Sequence, residues 1–242
     1  MTGTVDVLAF SPHPDDAELY CSGTLLLLKD KGFRTAIADL TLGELSTRGT
    51  LESRAAETAE ATRLLQLDAR VNLRLPDGAI ANTEEQRIEI IRVLRTLRPR
   101  TVFLPYPEDR HPDHVHASAL VKDALFLSGL VKLRTQDVEG NEQTAWRPPA
   151  AYYYMLTRDF EPTIIVDVSA AQERKLAAIR AYATQFFTGA GDDGTQTYIS
   201  TPEFLHGLLG RSQRLGFLVG GQYGEGFLPL QPRRFEAEWL LS

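Results

Sequence analysis

Two short segments of the sequence combine histidine and aspartate at spacings that suit metal chemistry. They are S-P-H-P-D-D at positions 11–16 and R-H-P-D-H at positions 110–114. Zinc accepts imidazole nitrogen and carboxylate oxygen, and a catalytic zinc site keeps one position open for water. Two histidines with one carboxylate also suit non-haem iron, so the spacing leaves the metal open. The candidate ligands are His13 and Asp16 in the first segment, and His111, Asp113, His114 and His116 in and beside the second.

Each of these segments directly follows an apolar run that is typical of a buried strand. Val5–Phe10 precedes the first segment and Thr101–Pro105 precedes the second. Strands that alternate with helices imply right-handed crossovers and a parallel sheet, and ligands bind such sheets beyond the carboxyl ends of the strands. The two segments are therefore predicted to lie at the same edge of the sheet, where they could form one metal site.

The remaining pattern predicts one sheet with helices on both faces. The strand-like runs are almost continuously apolar, as expected of strands covered on both sides. We predict the α/β class, as a Rossmann-like three-layer sandwich with a mostly parallel sheet and a C-terminal α/β elaboration, in one domain over residues 1–242. The predicted strands are Val5–Phe10, Thr35–Thr41, Val71–Leu75, Thr101–Pro105, A-Y-Y-Y-M-L and T-I-I-V-D-V, and the predicted helices are Glu18–Lys31, Glu52–Leu67, Glu84–Leu97 and Ala170–Phe187.

Composition argues against several classes of protein. The chain has 26 Lys and Arg against 32 Asp and Glu, a net charge of −6, which argues against an electrostatic nucleic-acid surface. Its one cysteine, Cys21, excludes an intrachain disulfide, favours a reducing cytoplasm and is expected to be a small core residue. The N-terminus lacks a signal-peptide pattern, and the longest apolar run, Leu25–Leu28, is too short to cross a membrane. We therefore expect a cytoplasmic protein without nucleic-acid or membrane partners.

The candidate site residues also have structural interpretations. A single histidine after a strand is commonly a capping or surface residue, which is the expectation for His116 and His206, and Asp15 or Asp16 would make a good helix N-cap. A non-catalytic Rossmann-like binding module would explain the fold but not the paired segments, and no G-x-G-x-x-G turn follows the first strand. A metallonuclease or phosphatase would use similar residues, usually with two metals and more carboxylates.

The two segments also resemble those of a known family. S-P-H-P-D-D-A-E and R-H-P-D-H-V-H-A-S are similar to the motifs of the PIG-L/LmbE-like family of zinc-dependent N-acetylglucosaminyl deacetylases. The stretches D-L-T-L-G-E-L-S-T-R-G-T-L-E-S-R, P-Y-P-E-D-R-H-P-D-H and Q-F-F-T-G resemble the bacillithiol biosynthesis branch. The resemblance implies removal of acetate from N-acetylglucosaminyl-malate. Another N-acetylglucosamine-containing substrate, such as N-acetylglucosamine or diacetylchitobiose, is the alternative.

The resemblance also implies a role for each site residue. Zinc, or Fe²⁺ or another divalent metal, would polarise the amide and bring the pKa of water towards about 7. Asp15 would act as general base, and an imidazolium at His111, oriented by Asp113, would face the developing oxyanion. The small amino-sugar substrate would be bound by a homo-oligomer, of which a hexamer is one candidate form. The implied zinc ligands are His13, Asp16 and His114, and the implied substrate contacts are Arg54, Arg110 and Tyr198.

Overall fold

A computed structural model describes residues 3–186 and 194–234 of the chain. Within these residues, strands and helices alternate along most of the chain. The strands are β1 (Val7–Ser11), β2 (Thr35–Asp39), β3 (Ala69–Asn72), β4 (Thr101–Pro105), β5 (Ala150–Tyr154), β6 (Ile164–Asp167) and β7 (Gly224–Pro229). The α-helices are α1 (Asp16–Tyr20), α2 (Ser22–Asp30), α3 (Leu51–Leu65), α4 (Glu84–Leu97), α5 (Pro112–Leu127), α6 (Gln172–Arg180) and α7 (Pro202–Leu218).

These strands form a single sheet in the order β3-β2-β1-β4-β5-β7-β6. The five strands from β3 to β5 pair in parallel, whereas β7 runs antiparallel to both of its neighbours. From β1 the chain passes to β2 and β3 on one side and then returns to β4 on the other. The sheet therefore has its topological switch point between β1 and β4, where ligand sites form in folds of this kind. The prediction of a mostly parallel Rossmann-like sheet is confirmed.

Alternate residues of the central strands face two separate hydrophobic cores. Leu8 and Phe10 of β1 pack into a core with α4 and α5, and Val7 and Ala9 pack into a core that includes α1, α2, α3 and α6. Every residue of β1 and β2 is buried, which explains why both strands are mainly apolar. The three predicted layers are therefore present. Cys21 is fully buried in the second core, as expected.

The first predicted helix, Glu18–Lys31, is instead two helices that meet at Cys21. Cys21 has φ −140° and ψ 5°, which are not helical values. The buried carboxylate of Glu225 accepts hydrogen bonds from the backbone N–H groups of Gly23 (2.9 Å) and Thr24 (2.8 Å) at the start of α2. A carboxylate at a helix N-terminus satisfies groups that a continuous helix would bond internally. The break thus depends on a residue about 200 positions away, which local periodicity does not contain.

The C-terminal part of the fold differs most from the sequence-based expectation. The predicted helix Ala170–Phe187 is a 3₁₀ turn, Ser169–Ala171, followed by α6, and its predicted last residue lies outside the described residues. Neither α7 nor β7 was predicted, since three glycines interrupt the helical pattern of α7 and weaken its propensity. One of them is required by packing: a Cβ on Gly216 would lie 2.4 Å from the backbone nitrogen of Tyr223, just before β7.

The helix α5 was also absent from the predicted helices. Two further outcomes concern β3 and the crossing of a membrane. The strand predicted at Val71–Leu75 is β3, which begins and ends earlier, at Ala69–Asn72. The described residues contain no helix that combines the length and the apolar character needed to cross a bilayer.

Candidate active site

The two histidine–aspartate segments meet at the switch point of the sheet. The first follows β1 and the second follows β4, and these two strands are parallel neighbours. The ring centroid of His13 lies 4.8 Å from that of His111 and 5.4 Å from that of His114. The strand-end rule therefore placed both segments at one edge of the sheet, as the structure has them.

Two histidine side chains converge on one carboxylate oxygen, that of Asp16. Oδ2 of Asp16 lies 3.2 Å from Nδ1 of His13 and 3.3 Å from Nε2 of His114. Asp16 occupies the first turn of α1, and His114 the first turn of α5. One ligand atom from each of the three residues lies within 4.8 Å of the others, so this group could hold a metal ion. Two imidazoles and one carboxylate match the donor sets of zinc and non-haem iron.

The second nitrogen of each of these histidine rings faces another carboxylate. Nε2 of His13 lies 3.2 Å from Oδ1 of Asp77 and 3.4 Å from Oδ2 of Asp113. Nδ1 of His114 lies 2.9 Å from Oδ1 of Asp109. In carboxylate–histidine–zinc triads a carboxylate holds the proton of one ring nitrogen, so that the other nitrogen can bind the metal. This arrangement would present Nδ1 of His13 and Nε2 of His114 to an ion beside Asp16.

Asp77 and Asp109 were missed by the sequence analysis. Each lies in a polar stretch beyond the end of a strand, P-D-G after β3 and P-E-D-R after β4. Their position beyond the ends of two strands could have identified both residues, because ligands bind at that edge of such a sheet.

The carboxylates make positive charge favourable at this cluster. Burial alone would lower the pKa of His13 and His114, but Asp16 and the other carboxylates outweigh burial and raise the pKa of both, that of His114 to about 9. Burial likewise disfavours charge on Asp16, yet the two histidines bring the pKa of this carboxyl below its usual range. A site that stabilises positive charge in this way suits a divalent cation, so donor set and electrostatics agree.

Asp15 lies between the two ligands of the first segment and has an unusual backbone. Its φ is 133° and it precedes the first residue of α1, but its side chain makes no capping hydrogen bond. The hydroxyl of Ser11 accepts from the backbone N–H of Ala17 instead (3.1 Å), so Asp15 occupies the N-cap position of α1 without capping the helix through its side chain. Burial raises the pKa of Asp15 to about 7, against the opposing effect of Arg54.

Arg54 reaches Asp15 from the first turn of α3. Its Nη1 donates to Oδ2 of Asp15 (2.9 Å) and to the backbone carbonyl of Pro14 (3.1 Å). Arg54 is 7% exposed and Asp15 is 4% exposed, so the ion pair is almost fully removed from water. Arg54 therefore contacts Asp15 directly, which the sequence analysis did not anticipate.

The His111 ring was expected to be a protonated imidazolium, but its surroundings lower its pKa. It is the N-cap of α5, and its Nδ1 accepts a hydrogen bond from the backbone N–H of Asp113 (3.2 Å). Burial lowers the pKa of His111, and positive charge on His13 and His114 lowers it further. A neutral ring with an accepting Nδ1 keeps its proton on Nε2, which can still donate a hydrogen bond.

The carboxylate of Asp113 lies near the His111 ring but is hydrogen-bonded to other groups, and not to the ring that it was expected to orient. It accepts from the backbone N–H groups of Gly78 (2.7 Å) and Ile80 (3.3 Å), and it also faces His13. Its contact with His111 runs through the backbone N–H.

A cavity of about 410 Å³ opens in front of these residues. The guanidinium carbon of Arg110 lies 4.1 Å from the ring centroid of Tyr198 at this cavity, and the tyrosine is 50% exposed. Asp113 is buried behind the cavity, whereas His116 and His206 lie exposed on the surface. The predicted site residues that line the cavity are His13, Asp15, Asp16, Arg54, Arg110, His111, His114 and Tyr198.

Comparisons with known proteins agree with this arrangement. The diacetylchitobiose deacetylase of Thermococcus kodakarensis is 31% identical over 196 residues, which cover 74% of this chain and 70% of that protein. The crystal structure of a conserved protein from Thermus thermophilus is 38% identical, with a TM-score of 0.84 and coverage of 96% and 98% of the two chains. An N,N′-diacetylchitobiose deacetylase from Pyrococcus horikoshii, solved with an inhibitor, is 26% identical with a TM-score of 0.78, over 93% of this chain and 83% of that one.

The family profile matches the part of the chain that carries both histidine–aspartate segments. It is described as PIG-L, GlcNAc-PI de-N-acetylase, and matches residues 8–125, from β1 to α5. Together with the relative that is 31% identical over most of both chains, this match establishes the family. The chain belongs to the PIG-L family of LmbE-like de-N-acetylases.

Proposed function

We propose that the protein hydrolyses the N-acetyl group of N-acetylglucosaminyl-malate, releasing glucosaminyl-malate and acetate. Its relatives are named as deacetylases of diacetylchitobiose and of an inositol-linked 2-acetamido-2-deoxyglucopyranoside, which are substrates with an N-acetylglucosamine-type amide. The malate assignment rests on one observation: the cationic side chain of Arg110 lines the same cavity as the candidate metal ligands. A guanidinium presents two parallel donors to a carboxylate, and a malyl group supplies two carboxylates.

We propose His13, Asp16 and His114 as the residues that hold the ion, with zinc as the metal and Fe²⁺ or another divalent ion as alternatives. A divalent ion there supplies Lewis-acid chemistry, which polarises the amide carbonyl and brings the pKa of water towards about 7. The carboxylates of Asp77 and Asp109 support this assignment, because each faces the second nitrogen of a ligand histidine.

Asp15 is proposed as the group that moves the proton. A carboxylate whose pKa lies near 7 is matched to taking a proton from water and giving it to the departing amine at neutral pH. The amine is a poor leaving group until it is protonated, so the second transfer matters as much as the first. Burial of Asp15 beside the cavity supplies both the position and the pKa.

His111 is proposed as the donor to the oxyanion. Its Nδ1 is occupied by the backbone N–H of Asp113, which leaves Nε2–H to donate to the developing negative charge. A neutral ring can serve this role, because a preorganised hydrogen-bond donor stabilises an oxyanion without carrying a full positive charge. Removing one donor of this type typically costs about 10²–10³ in rate.

The wider assignments follow from the same proposal. We propose that residues 1–242 act as one domain on a small amino-sugar substrate, in the cytoplasm and as a homo-oligomer, of which a hexamer is one candidate form.

The experiment compares three substrates with the zinc-loaded protein. N-acetylglucosaminyl-malate, free N-acetylglucosamine and N,N′-diacetylchitobiose are incubated separately, and amine and acetate release are measured. The proposal expects the highest kcat/KM for the malate conjugate. Faster turnover of diacetylchitobiose would contradict the malate assignment while leaving the deacetylase assignment intact. Phosphoesterase activity without amine release from any of the three would overturn both.

A further inference from the structure

The carboxylate partner of each ligand histidine is itself held by a loop. Oδ2 of Asp77 accepts from the backbone N–H of Leu45 (2.9 Å), in the loop between β2 and α3. Oδ2 of Asp109 accepts from the backbone N–H groups of Thr157 and Arg158, in the loop after β5. The direction of each carboxylate, and with it the orientation of a histidine ring, therefore depends on the position of its loop.

A buried amide holds the loop between β2 and α3. Oε1 of Gln185 accepts from the hydroxyl of Ser46 (2.8 Å), and its Nε2 donates to the backbone carbonyl of Arg48 (2.8 Å). Gln185 is 3% exposed and lies beyond the end of α6, where it begins the stretch Q-F-F-T-G. Since Ser46 directly follows Leu45, Gln185 holds the part of the loop that bonds Asp77.

An arginine holds the loop after β5 in a similar way. Nη1 of Arg211, in α7, donates to the backbone carbonyl of Leu156 (2.6 Å) and to the carboxylate of Asp159 (2.9 Å). These two acceptors lie on either side of residues 157–158, whose N–H groups hold Asp109. One guanidinium therefore fixes both ends of the short segment that bonds this carboxylate.

We infer that Gln185 and Arg211 are positioning residues, which hold the carboxylate partners of the two ligand histidines in place and so strengthen binding of the ion. The inference rests on the metal site proposed above and deepens it. Both residues lie beyond residues 8–125, the part of the chain that the family profile matches. The C-terminal part of the chain therefore supports a site whose candidate ligands all lie in the N-terminal half.

The zinc affinity of the full chain, measured by competition with a chelator, tests this inference. Gln185→Met and Arg211→Met should each lower the affinity by about 2–30-fold, the range expected of a residue that acts through a network of contacts. Because the two residues act on different histidines, the two losses should multiply in the double variant. An unchanged affinity in either single variant would overturn the inference for that residue.

A milder change keeps the test decisive if Gln185→Met does not fold. Ser46→Ala removes one of the hydrogen bonds to Gln185 and leaves the bond to the Arg48 carbonyl in place. It should therefore lower the zinc affinity by a smaller factor than Gln185→Met. Wild-type affinity in Ser46→Ala would contradict the role given to Gln185.

A second readout separates positioning from general destabilisation. A bound ion raises Tm by an amount that grows with its affinity, so added zinc should raise Tm less in Gln185→Met and Arg211→Met than in the wild type. Gln172→Met and Arg95→Met are matched controls that remove buried residues of the same two types, 3% and 4% exposed. They should lower Tm with and without zinc and keep the wild-type rise. A reduced rise in the controls as well would overturn the inference, because any loosening of the fold would then weaken metal binding.

These measurements also distinguish failure of the inference from failure of the proposed function. Normal zinc binding by the wild type and by both methionine variants would overturn the inference and leave the metal site standing. Zinc binding that weakens as expected, in a protein that deacetylates none of the tested substrates, would support the inference and contradict the proposed reaction. A wild-type protein that binds no divalent ion would overturn both the metal site and the inference.

Discussion

Nδ1 of His114 lies 2.9 Å from Oδ1 of Asp109, and the Asp109 side chain is fully buried. The same oxygen accepts from the backbone N–H of His111 (3.0 Å). Oδ2 of Asp109 accepts from the N–H groups of Thr157 (2.8 Å) and Arg158 (3.1 Å), which follow β5. The Asp109 carboxylate therefore connects His114, a candidate metal ligand, to the loop that follows β5.

Asp109→Asn should weaken metal binding while preserving the fold. The amide oxygen can still accept hydrogen bonds, but it lacks the charge that favours a proton on Nδ1 of His114. Loss of such a carboxylate partner typically costs about 10–100-fold in metal affinity. Competition with a zinc chelator measures this change. Glu108→Gln, at the exposed neighbouring position, is the control and should leave the affinity unchanged; equal affinities for all three proteins would show that Asp109 does not orient the ligand.

His114→Ala should lower the metal content sharply. It removes one of three converging ligand atoms, and two protein ligands rarely retain zinc. Metal analysis after dialysis measures the content per chain, and Tm provides a second readout because a bound ion stabilises the folded state. His116→Ala changes an exposed histidine on the same helix and should keep the wild-type content. Retention of one ion per chain by His114→Ala would remove His114 from the site.

Asp15→Asn should separate metal binding from proton transfer. Asparagine has nearly the same size but cannot accept a proton, so we expect kcat to fall by ~10² or more. Metal content should stay normal, because the converging ligand atoms belong to His13, Asp16 and His114. Metal analysis and initial rates are measured on the same preparation. Near-normal turnover with an unchanged pH profile would rule out Asp15 as the base.

Glu225→Gln should destabilise the protein strongly. The carboxylate, 3% exposed, accepts from Gly23, from Thr24 and from the ammonium of Lys175 (2.7 Å). Breaking a buried ion pair from one side typically costs about 3–5 kcal/mol, because the remaining charge loses its partner. Urea unfolding measures the loss.

Two comparisons test the cause of that loss. The double variant with Lys175→Met should recover part of the stability, since the unpaired ammonium is removed. Glu60→Gln breaks an exposed pair with Arg63 and should leave stability unchanged. A small loss for Glu225→Gln, similar to that for Glu60→Gln, would contradict the account of the break at Cys21.

The parts of the site that the sequence predicted share one property: each is defined by residues that lie close together in the chain. His13 and Asp16 lie three residues apart, and His114 lies nine residues beyond the end of β4. The position of each strand end follows from a buried apolar run, and the parallel order of β1 and β4 follows from alternation with helices. Spacing within each segment and one rule about sheets were therefore sufficient to bring the two segments together, whereas the choice of His114 among His111, Asp113, His114 and His116 came from the family resemblance.

The parts that the sequence did not reveal depend on contacts between distant residues. Arg54 contacts Asp15, from which it is separated by 39 positions in the sequence, and Asp77 contacts His13, from which it is separated by 64. The break at Cys21 depends on Glu225, more than 200 positions away. No periodicity or spacing in the sequence identifies these contacts, because each forms only through tertiary packing. The strained φ of Asp15 is likewise invisible in a residue type that commonly caps helices.

The substrate specificity is predicted to depend on Arg110. Its guanidinium lies over the ring of Tyr198, and within the described residues its nearest acidic neighbour in sequence, Asp109, is already bonded to His114 and to three backbone N–H groups. The alternative role for Arg110 is a surface ion pair with Glu108 or Asp109, and the described residues contain neither of these pairs within 4.0 Å. A guanidinium stacked on an aromatic ring keeps its edge available for a carboxylate, which binds through two hydrogen bonds.

Arg110→Ala should lower kcat/KM for N-acetylglucosaminyl-malate by ~10-fold or more, as loss of a charged hydrogen bond of about 1.5–3 kcal/mol requires. Activity on free N-acetylglucosamine should barely change, because that sugar has no carboxylate to bind. Arg158→Ala, which removes a neighbouring exposed arginine, is the matched control and should leave both values unchanged. Initial rates with both substrates measure the ratio. An equal loss for both substrates would mean that Arg110 supports the fold of the metal-site loop, and the malate assignment would lose the observation that carries it.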